Sequence, residues 1–386
     1  MYKNIPLSAP LIEGNEWQYI KECLDTGWVS SAGKYVELFE TRIAQYTGSK
    51  YAIACMNGTA ALQVALRLAG VQVEDEVIVP TITFIASVNA IVYNGAIPLF
   101  MDADEFYNID VKKTTEFIKE GTYFKGGYSY NKHSQRRVRG ILPVHIFGNA
   151  VDLEVLFDLC ETRNIVIVED AAESLGTRYV KGRFKGRHTG TIGLLGCLSF
   201  NGNKIITTGG GGMVLTDDHI LAEKARYLTT QAKNDPIRYI HDQIGYNFRM
   251  TNIQAALGVA QLEQLPGILM RKKEIFDEYQ LKINSIKGVT LAKVPEIASN
   301  NHWLNILQVT TEKYEADYSN LMSRFKDVGI EARPLWYPNH LQKPYINNQF
   351  YKIEKAVRLW ERSICLPSST GLQPEELKKV ISQIYG

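Results

Sequence analysis

The sequence predicts an α/β fold: a mainly parallel central sheet flanked by helices, followed by a smaller C-terminal α+β region. Three observations carry this. Five short apolar runs (YAIACM, EVIVP, IPLFMD, GILPVHIF and NIVIVED) alternate with amphipathic helical segments, the pattern of parallel strands joined by crossover helices. After about residue 260 the texture changes to long charged helices and sparse strands. The composition of the 386 residues, 45% hydrophobic and 22% charged, is that of an ordinary globular chain able to bury a large core.

Taken in order, residues 14–47 read as helices around the Gly/Ser loop GWVSSAGKY. YAIACM, from Tyr51, is the first strand, and AALQVALRLAG is a helix stopped by Gly70. Val77 to Met101 carries no charge and has the apolarity of a membrane span. Pro80, Asn89, Asn94, Gly95 and Pro98 interrupt it, so a strand, a short helix and a second strand fit better. Residues 121–139, GTYFKGGYSYNKHSQRRVR, are aromatic, basic and glycine-rich, and read as an inserted hairpin or loop. Two readings stand for it: a solvated excursion, or a basic flap reaching an anionic ligand or a neighbouring subunit. DLEVLFDLCETRN is a helix stopped by Asn164 before the strand NIVIVED. The expected division is a large domain over 1–260, including the inserted segment, and a small domain over 261–386 with the helices LMRKKEIFDEYQLKINSIKG and PEELKKVISQIY.

Composition also excludes partners. A net charge of +2 supports neither a nucleic-acid nor a membrane-surface binder. Cysteines 23, 55, 160, 197 and 365 are dispersed, with no CxxC pair, which argues against a disulfide framework or metal site and for reduced thiols in the cytoplasm. MYKNIPLSAPLIEGNEW has no apolar core and does not read as a signal peptide.

Ligands of open parallel sheets bind at the carboxyl ends of the strands. After YAIACM come Asn57, Gly58 and Thr59 at the start of a helix, either an anion-binding cup or a plain helix cap. Asp170 ends the strand NIVIVED, where it either meets a cation, since burying a carboxylate alone is costly, or caps the next helix. Lys204 follows Ser199 in SFNGNKIITTGGGGM and precedes four glycines. The lysine stands on the wrong side of the glycines for a P-loop, and no G-x-G-x-x-G opens a helix. A nucleophilic lysine, a carboxylate for a protonated ring nitrogen and a phosphate cup are what pyridoxal 5′-phosphate (PLP) requires.

The ordered set NGTAAL, DEVIVPTITFIASVNAI, PVHIFG, VEDAAES, SFNGNKIITTGGGG, IGYNFRMTNIQAALG and ARPLWYPNH resembles the DegT/DnrJ/StrS-type nucleotide-sugar aminotransferases over nearly the whole chain. The resemblance implies a fold-type I aminotransferase, a homodimer with shared active sites, and PLP cycling with pyridoxamine 5′-phosphate. It implies Lys204 as the Schiff-base lysine and Asp170 on the pyridine nitrogen. It places Glu173 near the ring hydroxyl, where many members have glutamine. Phe84 stacks on one ring face and Ala172 packs on the other. Gly58, Thr59 and Ser199 take the phosphate, and Asn247 reaches it from the partner subunit. The family usually reads GEGG after the lysine, and this chain has Gly210 in place of the glutamate.

That departure and the 121–139 insertion, together with FNGNKIITTGGGG, resemble the subgroup acting on UDP-4-keto-6-deoxy-N-acetylglucosamine. The implied reaction is transfer of an amine from L-glutamate to the keto sugar, with ping-pong kinetics. The alternatives are a GDP- or dTDP-linked keto sugar, and a non-catalytic PLP-fold binding protein. In this reading the glycines let backbone pass close to cofactor and sugar, with Gly210 in the substrate pocket. His340 and Arg249 are further candidates for substrate contacts, each with a structural alternative. His145 reads first as a buried, hydrogen-bonded histidine, and the NHW at 301–303 as packing in the small domain. Lys125, Arg136, Arg137 and Arg139 meet either a pyrophosphate or only water.

Overall fold

The computed structural model describes residues 4–235, 237–310, 314 and 318–385. Helices α1 (Glu16–Asp25) and α2 (Lys34–Thr47) come first. The alternation then runs β1 (Tyr51–Cys55), α3 (Gly58–Leu68), β2 (Glu76–Pro80), α4 (Ile85–Tyr93), β3 (Ile97–Met101) and α5 (Val111–Glu116). A hairpin of β4 (Thr122–Lys125) and β5 (Tyr128–Asn131) precedes β6 (Val138–Ile141), α6 (Glu154–Thr162) and β7 (Val166–Asp170). Next are β8 (Arg178–Tyr179), β9 (Leu195–Ser199), β10 (Gly212–Thr216), α7 (His219–Thr229), the short strands β11 (Lys233–Asp235) and β12 (Ile240–His241), and α8 (Asn252–Ile283). The C-terminal part holds β13 (Val289–Leu291), β14 (Ala298–Ser299), β15 (Asn305–Val309), α9 (Tyr318–Asp327), β16 (Arg333–Pro334), β17 (Phe350–Tyr351), α10 (Lys355–Arg362), β18 (Ser363–Leu366) and α11 (Pro374–Tyr385).

The central sheet has the order β1-β10-β9-β7-β6-β2-β3-β17. Only β10 runs against its neighbours; the other pairs are parallel. Helices cover both faces, so strands such as β2, buried at all five positions, read as unbroken apolar runs. Local signals set the boundaries. The Asn57 side chain accepts the Ala60 N–H and starts α3, and Gly70, at φ +78°, follows its end. A reciprocal Thr251–Gln254 capping box starts α8. Because β1, β2, β7 and β9 point the same way, Asn57, Thr81, Asp170 and Ser199 all emerge along one rim.

The 121–139 segment forms the expected hairpin but not a flap over that rim. Asn131 Nδ2 donates to Glu76 Oε2 at 2.7 Å, and Arg137 pairs with Asp75 at 2.5 Å. Both acids sit at the amino end of β2, so the hairpin lies at the opposite edge of the sheet. Arg136 pairs with Glu74 there.

Helix α8 runs without interruption for 32 residues, past the expected boundary at residue 260. Its C-terminal half packs with α9, α11 and the antiparallel sheet β13-β15-β18-β16 around Phe325, Tyr279 and Ile364. Two strands stitch this region back: β17 extends the central sheet beside β3, and β14 pairs with β8. All five cysteines are buried free thiols. Among the described residues no helix is long and apolar enough to cross a membrane.

Candidate active site

A cavity of about 730 Å³ opens at the carboxyl ends of the parallel strands. One wall comes from the strand ends: Asn57, Gly58, Thr59, Phe84, Ser87, Asp170, Ala172, Glu173, Ser199 and Lys204. The other comes from Leu7, Ser8 and the C-terminal part, including Trp303, Arg333, Trp336 and Tyr337. Residues 5–9 are held there by distant chain: Ile5 bridges Ile330, Ser8 Oγ donates to the Asn203 carbonyl at 3.0 Å, and the Ala9 N–H donates to Ser369 Oγ at 2.9 Å.

At one end, the N–H groups of Gly58 and Thr59 open α3 and have no intrahelical acceptor. Ser199 stands beside them; a Cβ on Gly58 would come within 2.9 Å of its Cβ and 3.1 Å of its Oγ. This is an anion cup of free donors at the positive end of a helix.

Of the four glycines, Gly212 lies against the cup. Gly212 pairs with Cys55 on one side and Ser199 on the other. A Cβ there would lie 2.4 Å from the Asn57 carbonyl and 2.7 Å from the Gly58 nitrogen. One on Gly211 would lie 2.2 Å from Thr208 Oγ1, and Gly209 turns at φ +80°. Gly210, expected in the substrate pocket, is outside the cavity wall, and the nearest atom to an added Cβ is 3.9 Å away. Within the run it is Gly212 that clears space for the Asn57–Gly58 turn.

Asp170 is buried; Ser87 Oγ donates to its Oδ2 at 2.6 Å and the Ala172 N–H to its Oδ1 at 3.0 Å. No lysine or arginine among the described residues forms an ion pair with it, and burial raises its pKa. A buried carboxylate without a cation is a seat for one. The adjacent Glu169 points to the other face of β7, as strand alternation requires. It accepts N–H bonds from Gly190, Ile192 and Gly193 and faces His145 Nε2 at 2.9 Å. Burial works to raise its pKa, but His145 and those donors outweigh it and hold the carboxylate below its ordinary range. His145 Nδ1 accepts the Val151 N–H at 3.1 Å, so this histidine is buried and bonded behind the site.

Lys204 Nζ is 3.5 Å from Glu173 Oε1 and 4.0 Å from the centre of the Trp303 ring. Glu173 Oε2 accepts the Phe147 N–H at 2.8 Å, and burial pushes this carboxyl up to about 7. Phe84 is 54% exposed, so its ring is free to meet a planar ligand in the cavity. It makes an edge contact with Trp336 at 6.4 Å, and Trp336 stacks on Phe147 at 5.0 Å.

The NHW triplet divides. Asn301 Nδ2 ties the Glu173 and Leu175 carbonyls, and His302 stacks on Phe276 at 4.2 Å, both packing roles. Trp303 is instead part of the cavity wall, which the expectation missed.

Two other candidates, His340 and Arg249, fall outside the wall, and Asn247, expected to act from the partner subunit, is likewise not part of this chain's own wall. His340 is buried with Nδ1 2.7 Å from Thr81 Oγ1. Arg249 bridges Cys55 through its backbone, and its Nε is buried without a hydrogen bond. Asn247 is exposed, and its Oδ1 accepts from Gln231 Nε2 at 3.0 Å. Ser87, Arg333 and Trp336 carry no individual signal in the sequence; their places in the wall arise from contacts between distant segments.

A single amine held between an N–H cup and a carboxylate lacking its cation fits PLP: phosphate at Gly58, Thr59 and Ser199, ring nitrogen at Asp170, ring face at Phe84. The fold and site thus define a PLP-dependent aminotransferase. Comparison agrees: residues 10–385 match the family model for DegT/DnrJ/EryC1/StrS aminotransferases, and the chain belongs to that family. It is similar to GDP-perosamine synthase of Escherichia coli O157:H7, with 39% identity over 384 residues, 99% of this chain and 98% of the relative. It is similar to GDP-perosamine synthase of Caulobacter vibrioides, with 35% identity over 382 residues, 98% of this chain and 97% of the relative. The solved structure of Spr1654 from Streptococcus pneumoniae in its PLP form superposes with a TM-score of 0.86 at 26% identity, covering 99% of this chain and 98% of that one. These two relatives are named for a GDP-linked sugar, not for the UDP-linked one of the subgroup expected from the sequence. Of the features behind that subgroup reading, Gly210 and the hairpin lie away from the cavity, while the FNGNKIITTGGGG stretch reaches its wall through Asn201, Asn203 and Lys204.

Proposed function

We propose that this enzyme transfers the amino group of L-glutamate to a GDP-linked 4-keto-6-deoxy sugar. The observation that carries the reading is Lys204 Nζ in a 730 Å³ cavity, in a chain 39% identical to a GDP-perosamine synthase. A cavity of that size accepts more than an amino acid, as a sugar nucleotide requires.

Bound here, PLP supplies a cationic ring that accepts the electron pair left when a proton leaves the carbon bearing the amine. Asp170 would hold the proton on the ring nitrogen, with Ser87 and the Ala172 N–H fixing the carboxylate. Phe84 would meet one face of the ring and Ala172 the other. Gly58, Thr59 and Ser199 would anchor the phosphate, joined in a homodimer by Asn247 of the partner subunit. Lys204 Nζ takes the proton from the donor α-carbon and returns one during amine transfer to the sugar. Glu173, 3.5 Å away, aims that amine and exchanges a proton with it.

The test is amine transfer from L-glutamate to three sugars: GDP-4-keto-6-deoxymannose, UDP-4-keto-6-deoxy-N-acetylglucosamine and a dTDP-linked 4-keto sugar. Product mass and 2-oxoglutarate are read together. Turnover with the GDP sugar at least tenfold above the others is expected. A preference for the UDP sugar would restore the sequence-based reading.

A further inference from the structure

Lys272, on α8, is a buried amine that the mechanism above does not use. It is 2% exposed. Its Nζ donates to the Trp303 carbonyl at 3.1 Å and to the Ser368 carbonyl, and no carboxylate pairs with it among the described residues. Burial pushes its pKa down to about 7. An amine stripped of water with no counter-ion is costly. Apolar packing would fill the same space without that cost, so what the amine holds in place is the question.

The two carbonyls belong to segments that build the cavity. Trp303 is itself in the wall. Its indole N–H donates to the Asn203 carbonyl at 2.6 Å, directly before Lys204, and its ring face carries Lys204 Nζ at 4.0 Å. The Ser368 N–H in turn donates to the Leu7 carbonyl at 2.6 Å, and Leu7 lines the cavity. A continuous path of contacts thus runs from a buried amine to the nucleophile: Lys272 fixes the Trp303 backbone, and Trp303 fixes both the chain before Lys204 and the place of its amine.

We propose that Lys272 is a positioning residue for the reaction, acting on Lys204 through Trp303. It touches neither substrate nor cofactor. Its two donors set where the Trp303 ring stands, and the ring sets where Nζ waits.

The experiment uses Lys272→Met, which keeps the apolar stem, and Lys272→Gln, which keeps two N–H donors without charge. Each is combined with Trp303→Leu. Two quantities are read: the rate at which the Lys204-linked absorbance band forms when PLP is added to the stripped protein, and kcat and KM for the glutamate half-reaction. Misplacing a nucleophile by a fraction of an ångström is expected to slow Lys272→Met about tenfold in both rates, with KM within about twofold. Lys272→Gln recovers part of the loss. In the Trp303→Leu background, substituting Lys272 changes neither rate more than about twofold, because the path is already cut. The proposal is overturned if the two substitutions act additively. It is also overturned if Lys272→Met lowers only the melting temperature. Failure of both variants to fold overturns it too, since that would assign Lys272 to the fold itself.

Discussion

Replacing Gly212 by alanine tests how the anion cup is built. The added Cβ would stand 2.4 Å from the Asn57 carbonyl, a contact with backbone that no rotamer change relieves. Gly212 cannot retreat, because its ladder partners Cys55 and Ser199 hold it on both sides. The Asn57–Gly58 turn must move, and with it the N–H groups that open α3. Overpacking of this kind costs about 1–3 kcal/mol. At 1.4 kcal/mol per decade, the Kd for PLP should rise about 5- to 150-fold. Gly210→Ala is the control: its Cβ has 3.9 Å of room, and a change of that kind costs under about 0.5 kcal/mol. The assay is PLP titration of stripped protein by absorbance, with melting temperatures recorded alongside. If Gly212→Ala binds PLP as tightly as the parent, or Gly210→Ala weakens it as much, the assignment of Gly212 to the cup is wrong.

Further outcomes follow from the same geometry. Ser87→Ala removes the 2.6 Å donor to Asp170, a bond to a charged group worth roughly 1.5–3 kcal/mol, so PLP affinity should fall at least about tenfold; unchanged affinity would show that Asp170 needs no such support. Glu173 is raised from 4.5 to about 7 in the folded protein, so its contribution to stability is complete below about 4.5 and is lost as pH rises through about 7. Glu173→Gln removes that dependence. In urea unfolding of the PLP-free protein, the variant should gain on the parent by roughly 3 kcal/mol between about pH 4.5 and 8, and a pH-independent difference would contradict the shift. Lys125→Ala and Arg136→Ala, at the far edge of the sheet, should leave the sugar-nucleotide KM within about twofold in steady-state assays; a larger rise would bring the hairpin back to the substrate.

The parts legible in the sequence were those written locally. The α/β alternation shows because strands buried on both faces read as apolar runs and their helices end at residues such as Gly70 and Asn164, which sit at positive φ. Gly58, Asp170, Ser199 and Lys204 could be named because each follows a strand, and strand ends converge in a parallel sheet. Trp303 was not legible: its neighbours Asn301 and His302 do pack, and only the meeting of residues about a hundred positions apart puts its ring under Lys204. Ser87 was hidden in the same way, 83 positions from the carboxylate it serves. Gly210 was misread because a glycine run shows no sequence difference between a residue that clears backbone and one that faces open space. Between its two readings His340 takes the structural one, on Thr81, because a loop rich in proline and aromatics says nothing of which way a ring turns.

The docking of residues 5–9 bears on how this protein is made. Leu7 and Ser8 line the cavity, yet the Leu7 N–H is satisfied by Glu331, 324 positions later, and Ala9 by Ser369, 360 positions later. During synthesis these residues precede their partners by more than three hundred positions and cannot pair with them until those are made. Such long-range closure is slow, because chain entropy is lost before the contacts repay it. The wall formed by Leu7 and Ser8 is therefore held only once residues 331 and 369 have joined it.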